Sequence, residues 1–467
     1  MKKFGIILAV VMVLSAALTL CVACGEKASL SYATWNLGTE GGTENVERQM
    51  VKAFEEAYDV KVELKEAPAT GYSDAIKAYI ARDDAPDVFM TDNLNFLLSN
   101  QYALDISDLI AEDEDWSKIP AALKESTHYK SGTYAVPFAM HMLGFFVNVD
   151  LLDEYNIDLP ANDAYTWQWF VNAVTAVSNH KNEGVIGLNE VNHIFEWYAS
   201  AVNEDLGYFT WDANSKSYHL DDKEFKDGMA RTKELHTAKV AYDSLSEEER
   251  LSYFDGYDGS VALWDDGKVA FRWGYTYEMP DMISKADGNF NIKFIGIPYV
   301  QGAGEKARTE NFVTLVPDYV AIYKGTKNAD LAYKFAKWMS FDPAGIRKRI
   351  EIDKSTGVTN TLPLTTDSTI IDSYFDKFDA VSGFHELYTK LDKAIMEPIK
   401  VTPGYEAARQ NATTGLTVGE STNAKIGVLL DACWYGDLSY ADYSQKCNEL
   451  ANKQYANAVR NYEDKYE

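Results

Sequence analysis

The groups in this 467-residue chain that could do chemistry are plentiful, but they do not stand at the spacings of known catalytic devices. There is no G-x-S-x-G elbow, no G-x-x-x-x-G-K-[ST] phosphate loop, no H-E-x-x-H helix and no G-x-G-x-x-G turn. Gly267-Lys268 in WDDGKVA lacks the upstream glycine of a phosphate loop. His193 and Glu196 lie three apart in NHIFEW, where a helix would put them on one face. Two groups alone make a hydrogen-bonded or surface pair a better account than a metal site. DANSKSYHLDD offers Asp212 and Asn214 as calcium oxygens but sets Lys216 where a third must be, which excludes calcium. With 71 acidic residues, carboxylate pairs for glycoside cleavage can be drawn anywhere, and the separation that chemistry needs is not written in a sequence. The motifs thus point to no metal, no cofactor and no enzyme.

Four cysteines remain. Cys21 and Cys24, in LTLCVACGEK, close a run of nineteen uncharged residues, Gly5 to Ala23, that follows Lys2-Lys3. A charged start, an apolar stretch and small residues near a cut site describe an export leader. The C-x-x-C spacing is no redox motif here, because it sits in that leader and not beside a βαβ unit. Cys433 and Cys447 would stand about 21 Å apart on one helix, too far to bond. A turn at Gly436-Asp437 could fold them together, so a bridge and two buried thiols both stay open. Loss of Lys2 and Lys3 with the leader takes the formal charge from −27 to about −29. That balance argues against nucleic-acid binding and against docking on anionic lipid.

The elements follow from periodicity. SLSYATWNLGTEGG reads as a strand entering a glycine-rich loop. In TENVERQMVKAFEEAYDV, Val46, Met50, Phe54 and Tyr58 share a helical face, with Thr43 as N-cap and Glu44 and Glu47 at the positive end of the dipole. VKVELK alternates as a half-buried strand, YSDAIKAYIARDD is helical, and DVFM is a short strand buried on both faces. The mature chain therefore opens βαβαβ, the start of an α/β lobe. TYAVPFAMHMLGFFVN is apolar throughout, yet Pro137 and Gly144 forbid a single helix. YTWQWFVNAVTAVSN, DKEFKDGMARTKELHTA and NADLAYKFAKWMSF read as helices, and NIKFIGIPYV and DYVAIYKG as strands. The end is a long amphipathic helix with Ser439 as its cap.

In order along the chain, AFEEAYDVKVELK, IARDDAPDVFM, YAVPFAMHMLGFFVNVDLL, YTWQWFVNAV, DGKVAFRWGYTYEM, VAIYKGTKNADLAYKFAKWM and GDLSYADYSQKCNELANKQYANA resemble the extracellular solute-binding proteins of ABC importers. Within them, the chain looks like the sugar-binding family that includes maltodextrin-binding proteins. The likeness covers nearly the whole mature chain. It implies an α/β fold of two lobes joined by crossover hinge strands, with the ligand cleft between them. The expected division is lobe 1 at 30–138 and 316–364, and lobe 2 at 139–315 and 365–467. Ala23 before Cys24 resembles a lipobox, which implies a leader at 1–23, a lipidated Cys24 and a leash at 24–29. It also implies anchoring on the outer face of the cell membrane, although Cys21 stands where a leucine is usual.

Sugars present flat C–H faces and many hydroxyls, so their sites combine aromatic platforms with amide and carboxylate groups. The resemblance sets such residues at the cleft. Trp35, Asn36 and Glu40 follow the first strand, as cleft lining or as packing. Asp92 and Asn93 follow DVFM, as ligand contacts or as a helix N-cap. His141 lies in the first crossover, as a contact or a structural histidine. Trp197 and Trp434 are platforms or core. Trp273 and Tyr275 in RWGYTYE match the family loop that places an aromatic under the sugar, with glycine and tryptophan reordered. Trp167 and Trp338 are assigned to cores. The implied partners are a carbohydrate and the permease of an ABC transporter, with the chain itself a monomer. The competing readings are a surface-anchored carbohydrate-active enzyme, and the same fold holding a peptide, a polyamine or a phosphorylated metabolite. Against the last, only Arg272 puts a cation in the candidate loops.

Overall fold

The computed structural model describes residues 27–37, 45–92, 94–353, 361–378, 380–405 and 411–466. Cys21, Cys24, Glu40, Thr43, Glu44 and Asn93 lie outside them. The opening is βαβαβ as the periodicity predicts: β1 (Ser29–Thr34), α1 (Val46–Tyr58), β2 (Lys61–Glu66), α2 (Tyr72–Ala81) and β3 (Val88–Thr91). Strands β2 and β3 flank β1 in parallel. Asn45 caps α1, its Oδ1 accepting from Arg48 N at 3.1 Å. Met50, Val51 and Phe54 bury the inner face of α1. That apolar face, at helical spacing, is what docks the helix on the sheet.

The apolar run with Pro137 and Gly144 is one 13-residue strand, β4 (Val136–Asn148), buried at every position. Two local devices make this possible. At Pro137 the register against β8 (Thr314–Ile322) shifts, so that Tyr319 pairs with Pro137 and Asp318 with Ala139, leaving Phe138 as the extra residue of a bulge. At Gly144 the strand passes Gly296, whose Cα would lie 2.7 Å from any added Cβ. Only glycine allows backbones to approach that closely.

The other strands are β5 (Ile186–Leu188), β6 (Val269–Tyr275), β7 (Ile292–Gly296) and β9 (Ile395–Met396). They complete a nine-stranded mixed sheet of order β2-β1-β3-β8-β4-β6-β5, with β7 on β4 and β9 on β8. The sheet carries two hydrophobic cores. The first is built on β1 to β3, α1 and α6 (Ala329–Met339), and the second on α3 (Trp167–Ser178), α4 (Ile194–Val202) and α5 (Lys223–Thr237). Strand β4 gives Met140 and Met142 to the first core and Leu143, Phe145 and Val147 to the second. The first core also takes in Phe146 of the same strand and runs on through segments between Leu245 and Phe294 and between Ile370 and Leu391.

The C-terminal helix, α7 (Ser444–Glu463), does not start at Ser439, which precedes a separate 3-10 turn, Tyr440–Asp442, and makes no capping bond. Cys447 and Ala451 of α7 lie in the second core. Its Asn448 and Asn452 accept from the backbone of Leu220 and Tyr218 at 3.0 and 2.9 Å. Past its end, Tyr466 packs edge-on to Tyr129 and Tyr134 on the first core, and its hydroxyl donates to Leu98 O at 2.9 Å. Cys433 and Cys447 are free, buried thiols. The rejected calcium segment is a hairpin, Trp211–Asp212 with Ser217–Tyr218, in which Asp212 accepts from Asn214 N and Ser215 Oγ.

Candidate functional site

Where the first core ends and the crossover strands begin, a 240 Å³ cavity is lined by Trp35, Asn36, Glu47, Phe138, Ala139, His141, Tyr277, Asp318 and Thr361. Each wall has a local cause. Trp35 leaves the carboxyl end of β1 and is braced edge-on by Tyr72 at 4.8 Å and 89°, whose hydroxyl donates to Ala33 O at 3.0 Å. The loop after it is tied down at Asn36, whose carbonyl accepts from the capping Asn45 at 2.8 Å. Ligand sites at the carboxyl ends of sheet strands are the rule for open α/β sheets.

The floor comes from β4 and β8. Their bulge turns His141 and Asp318 into the cavity, with Nε2 3.7 Å from Oδ2. Lys400 reaches the other oxygen of Asp318 at 3.0 Å. Burial by itself would push the Asp318 carboxyl up, but His141 and Lys400 outweigh it and hold the group below the ordinary carboxylate range. His141 is 7% exposed, and its Nδ1 has no partner among the described residues. Below the cavity Glu47 is clamped by Arg349 at 2.6 Å, with both side chains buried.

The far wall rises from β6. Tyr277 stacks on Tyr275 with centroids 4.9 Å apart and planes 18° from parallel, and it meets His141 edge-on at 5.2 Å. Tyr277 is 46% exposed, unusual for so large a ring. Burial first, then the nearby Glu278, push its hydroxyl to about 12, so it stays a neutral donor and acceptor. Glu278 holds this turn together, taking Arg272 at 2.5 Å and the Tyr275 amide at 3.4 Å. Thr276 ties the turn to the crossover by accepting from Met142 N at 2.9 Å.

The structure therefore brings Trp35, Asn36 and His141 to one cavity; Tyr275 stacks on the cavity residue Tyr277, and Trp273, two residues earlier on β6, packs against the second core with partial exposure. Asp92 follows the end of β3, exposed, and its charge is felt by Lys400. Trp197 is fully buried behind Trp273, and Trp434 packs in the second core against His236 at 5.3 Å while its indole donates to Asp431. Neither lines the cavity, because helical spacing in an apolar segment turns them inward. Trp167 and Trp338 are core residues. Sequence reasoning missed Asp318, a lone charge inside an apolar strand, and Tyr277, two residues from Tyr275. It also missed Glu47, read only as a dipole partner. His193, expected at the surface or paired with Glu196, is buried and bonds elsewhere. Among the described residues, no three His, Cys, Asp or Glu side chains form a metal site, and no helix is long and apolar enough to cross a membrane.

Residues 41–346 match the model of the bacterial extracellular solute-binding protein family. Among solved structures, the cyclic α-maltosyl-1,6-maltose binding protein of Arthrobacter globiformis aligns over 92% of this chain and 100% of its own, at 15% identity and a TM-score of 0.67. A solute-binding protein of Thermotoga lettingae bound with α-D-tagatose covers 92% and 100%, at 14% identity and 0.63. An ABC substrate-binding protein of Listeria monocytogenes in complex with cycloalternan covers 94% and 99%, at 18% identity and 0.59. At such identities the likeness is one of fold: two lobes around a cleft.

Proposed function

We propose that this chain, which belongs to the bacterial extracellular solute-binding proteins, captures a carbohydrate between its lobes and delivers it to the membrane permease of an ABC transporter. The observation that carries this reading is the convergence at the crossover strands. Aromatic rings (Trp35 and Tyr277, the latter stacked on Tyr275) meet hydrogen-bonding groups (Asn36, His141, Asp318) in one cavity. Rings accept the C–H faces of a pyranose while the polar groups take its hydroxyls. The sugars named for similarly folded proteins agree with this chemistry. Trp273, Asp92, Glu40 and Asn93 extend the site in this reading, and Trp197 backs it. The chain works as a monomer without catalysis, its two lobes hinging about the crossover strands β4 and β8. Cleavage after Ala23, lipidation of Cys24 and a leash at 24–29 keep it on the outer face of the cell membrane.

Titration calorimetry against mono- and oligosaccharides tests the ligand class, with one site per chain expected. No heat and no thermal shift across a broad panel would remove the sugar assignment, and release of reducing ends from polysaccharide would replace binding with hydrolysis. Mass spectrometry of the exported protein finding an unmodified Cys24 would remove the anchor.

A further inference from the structure

His193, buried against the second core, does not line the cavity, yet it lies directly against a candidate sugar platform. The Trp273 indole and the His193 imidazole are stacked with centroids 4.2 Å apart and planes 6° from parallel. We propose that His193 is a positioning residue that holds Trp273 ready to stack on the sugar and so sets the affinity of the cleft. This rests on the carbohydrate reading above.

Both ring nitrogens of His193 are committed. Nδ1 accepts from Trp197 Nε1 at 2.9 Å, which leaves Nε2 to donate to the carbonyl of Glu190 at 3.1 Å. Only the neutral Nε2–H tautomer satisfies both bonds. Burial depresses the imidazole to about 3, so the ring stays neutral in ordinary buffers. Two in-plane hydrogen bonds fix the plane of the imidazole, and the imidazole fixes the plane of the indole. Trp197 lies beside the imidazole in the same layer, 22° from the Trp273 plane at 5.9 Å, and Phe145 closes one edge at 5.0 Å. The backbone of Trp273 is held too, its amide donating to Asn189 Oδ1 at 2.9 Å. Trp273 still keeps partial exposure, while His193 and Trp197 have almost none. A platform oriented before the ligand arrives does not have to be ordered during binding, which is where preorganised sites gain affinity.

The test compares wild type with Trp273→Ala, His193→Ala and Trp197→Phe, titrated with maltotriose, raffinose, xylotriose and tagatose. Trp197→Phe removes the N–H that orients Nδ1 together with one ring of the buried indole but leaves the imidazole in place, and it gives a second reading if His193→Ala folds poorly. His193→Ala should raise Kd about tenfold, and Trp197→Phe about threefold, at unchanged stoichiometry. The near-UV circular dichroism arising from the Trp197–Trp273 pair should change in both. A purely structural histidine would lower the binding-competent fraction and leave Kd alone. If wild type binds one of the sugars and Trp273→Ala weakens it while both second-layer variants bind normally, the positioning role is refuted and the sugar reading stands. If wild type binds none of these sugars, the carbohydrate reading fails and takes the proposal with it.

Discussion

Glu47 and Arg349 offer a perturbation whose size follows from where they sit. The pair joins α1 to the helix at Pro343–Ile352 at 2.6 Å, with relative exposures of 6% and 7%. Arg349 also donates to Met339 O at 3.1 Å, so the guanidinium ties together three segments of the first core. Replacing Arg349 with methionine keeps most of the volume but leaves the Glu47 carboxylate buried without its counter-charge. Breaking a buried pair in this way costs about 3–5 kcal/mol. The double variant Glu47→Gln/Arg349→Met removes both charges, and most of that loss should return. Urea unfolding followed by far-UV circular dichroism reads the loss, and the first core also holds Trp338, whose indole donates to Met50 O at 3.1 Å. The single variant carries a pH signature as well. An orphaned buried carboxylate is relieved by taking up a proton, so its deficit should shrink as the pH is lowered from 8 towards 5. The double variant should show no such slope. An Arg349→Met protein within about 1 kcal/mol of wild type, or a double variant less stable than the single one, would refute the argument.

Other outcomes follow from the same geometry. Tyr277→Ala removes the outer ring of the tyrosine stack and should weaken sugar binding about three- to tenfold in calorimetry, with little change in melting temperature. Asp318 is held below its ordinary range, so its contribution to stability is complete above about pH 4 and is lost as the pH falls through its folded value. The stability gap between wild type and Asp318→Asn should therefore close as the pH falls from 5 into acid; a gap that stayed constant there would contradict a carboxyl held down by His141 and Lys400. Burial pushes the Cys433 and Cys447 thiols up to about 11 and about 12. Both should resist iodoacetamide in the native protein and react after unfolding in guanidine without reductant, and a disulfide found by mass spectrometry would overturn this.

The early part of the fold was legible because its signals are local. The spacing of Met50 and Phe54, the alternation of Val60, Val62 and Leu64, and the short apolar run at Val88 each follow from one element's own geometry. The crossover strand was half legible. Pro137 and Gly144 announced that it was no helix. They could not announce a continuous strand, because the bulge lies against Tyr319 and the close approach lies against Gly296, both far away in the chain. The site divides in the same way. Trp35 and Asn36 could be found because they follow a strand into a loop. Asp318 takes its meaning from His141 and Lys400, and no local pattern joins those three. Trp197 and Trp434 stayed open between platform and core because an aromatic at helical spacing says that a face is apolar and nothing about what that face meets.

The C-terminal helix adds a mechanical element to the hinge. It is rooted in the second core by Asn448 and Asn452, and it reaches the first core through Tyr466 and through Lys130, which donates to Glu463 O at 2.8 Å. In the hinging proposed above, any swing of one lobe against the other would carry, stretch or release this staple, so the motion would work against a load as well as around a pivot. A fluorophore or solid support attached after Tyr466 would pull on that load. A sensor built from this protein would be better labelled on a face that moves with one lobe alone.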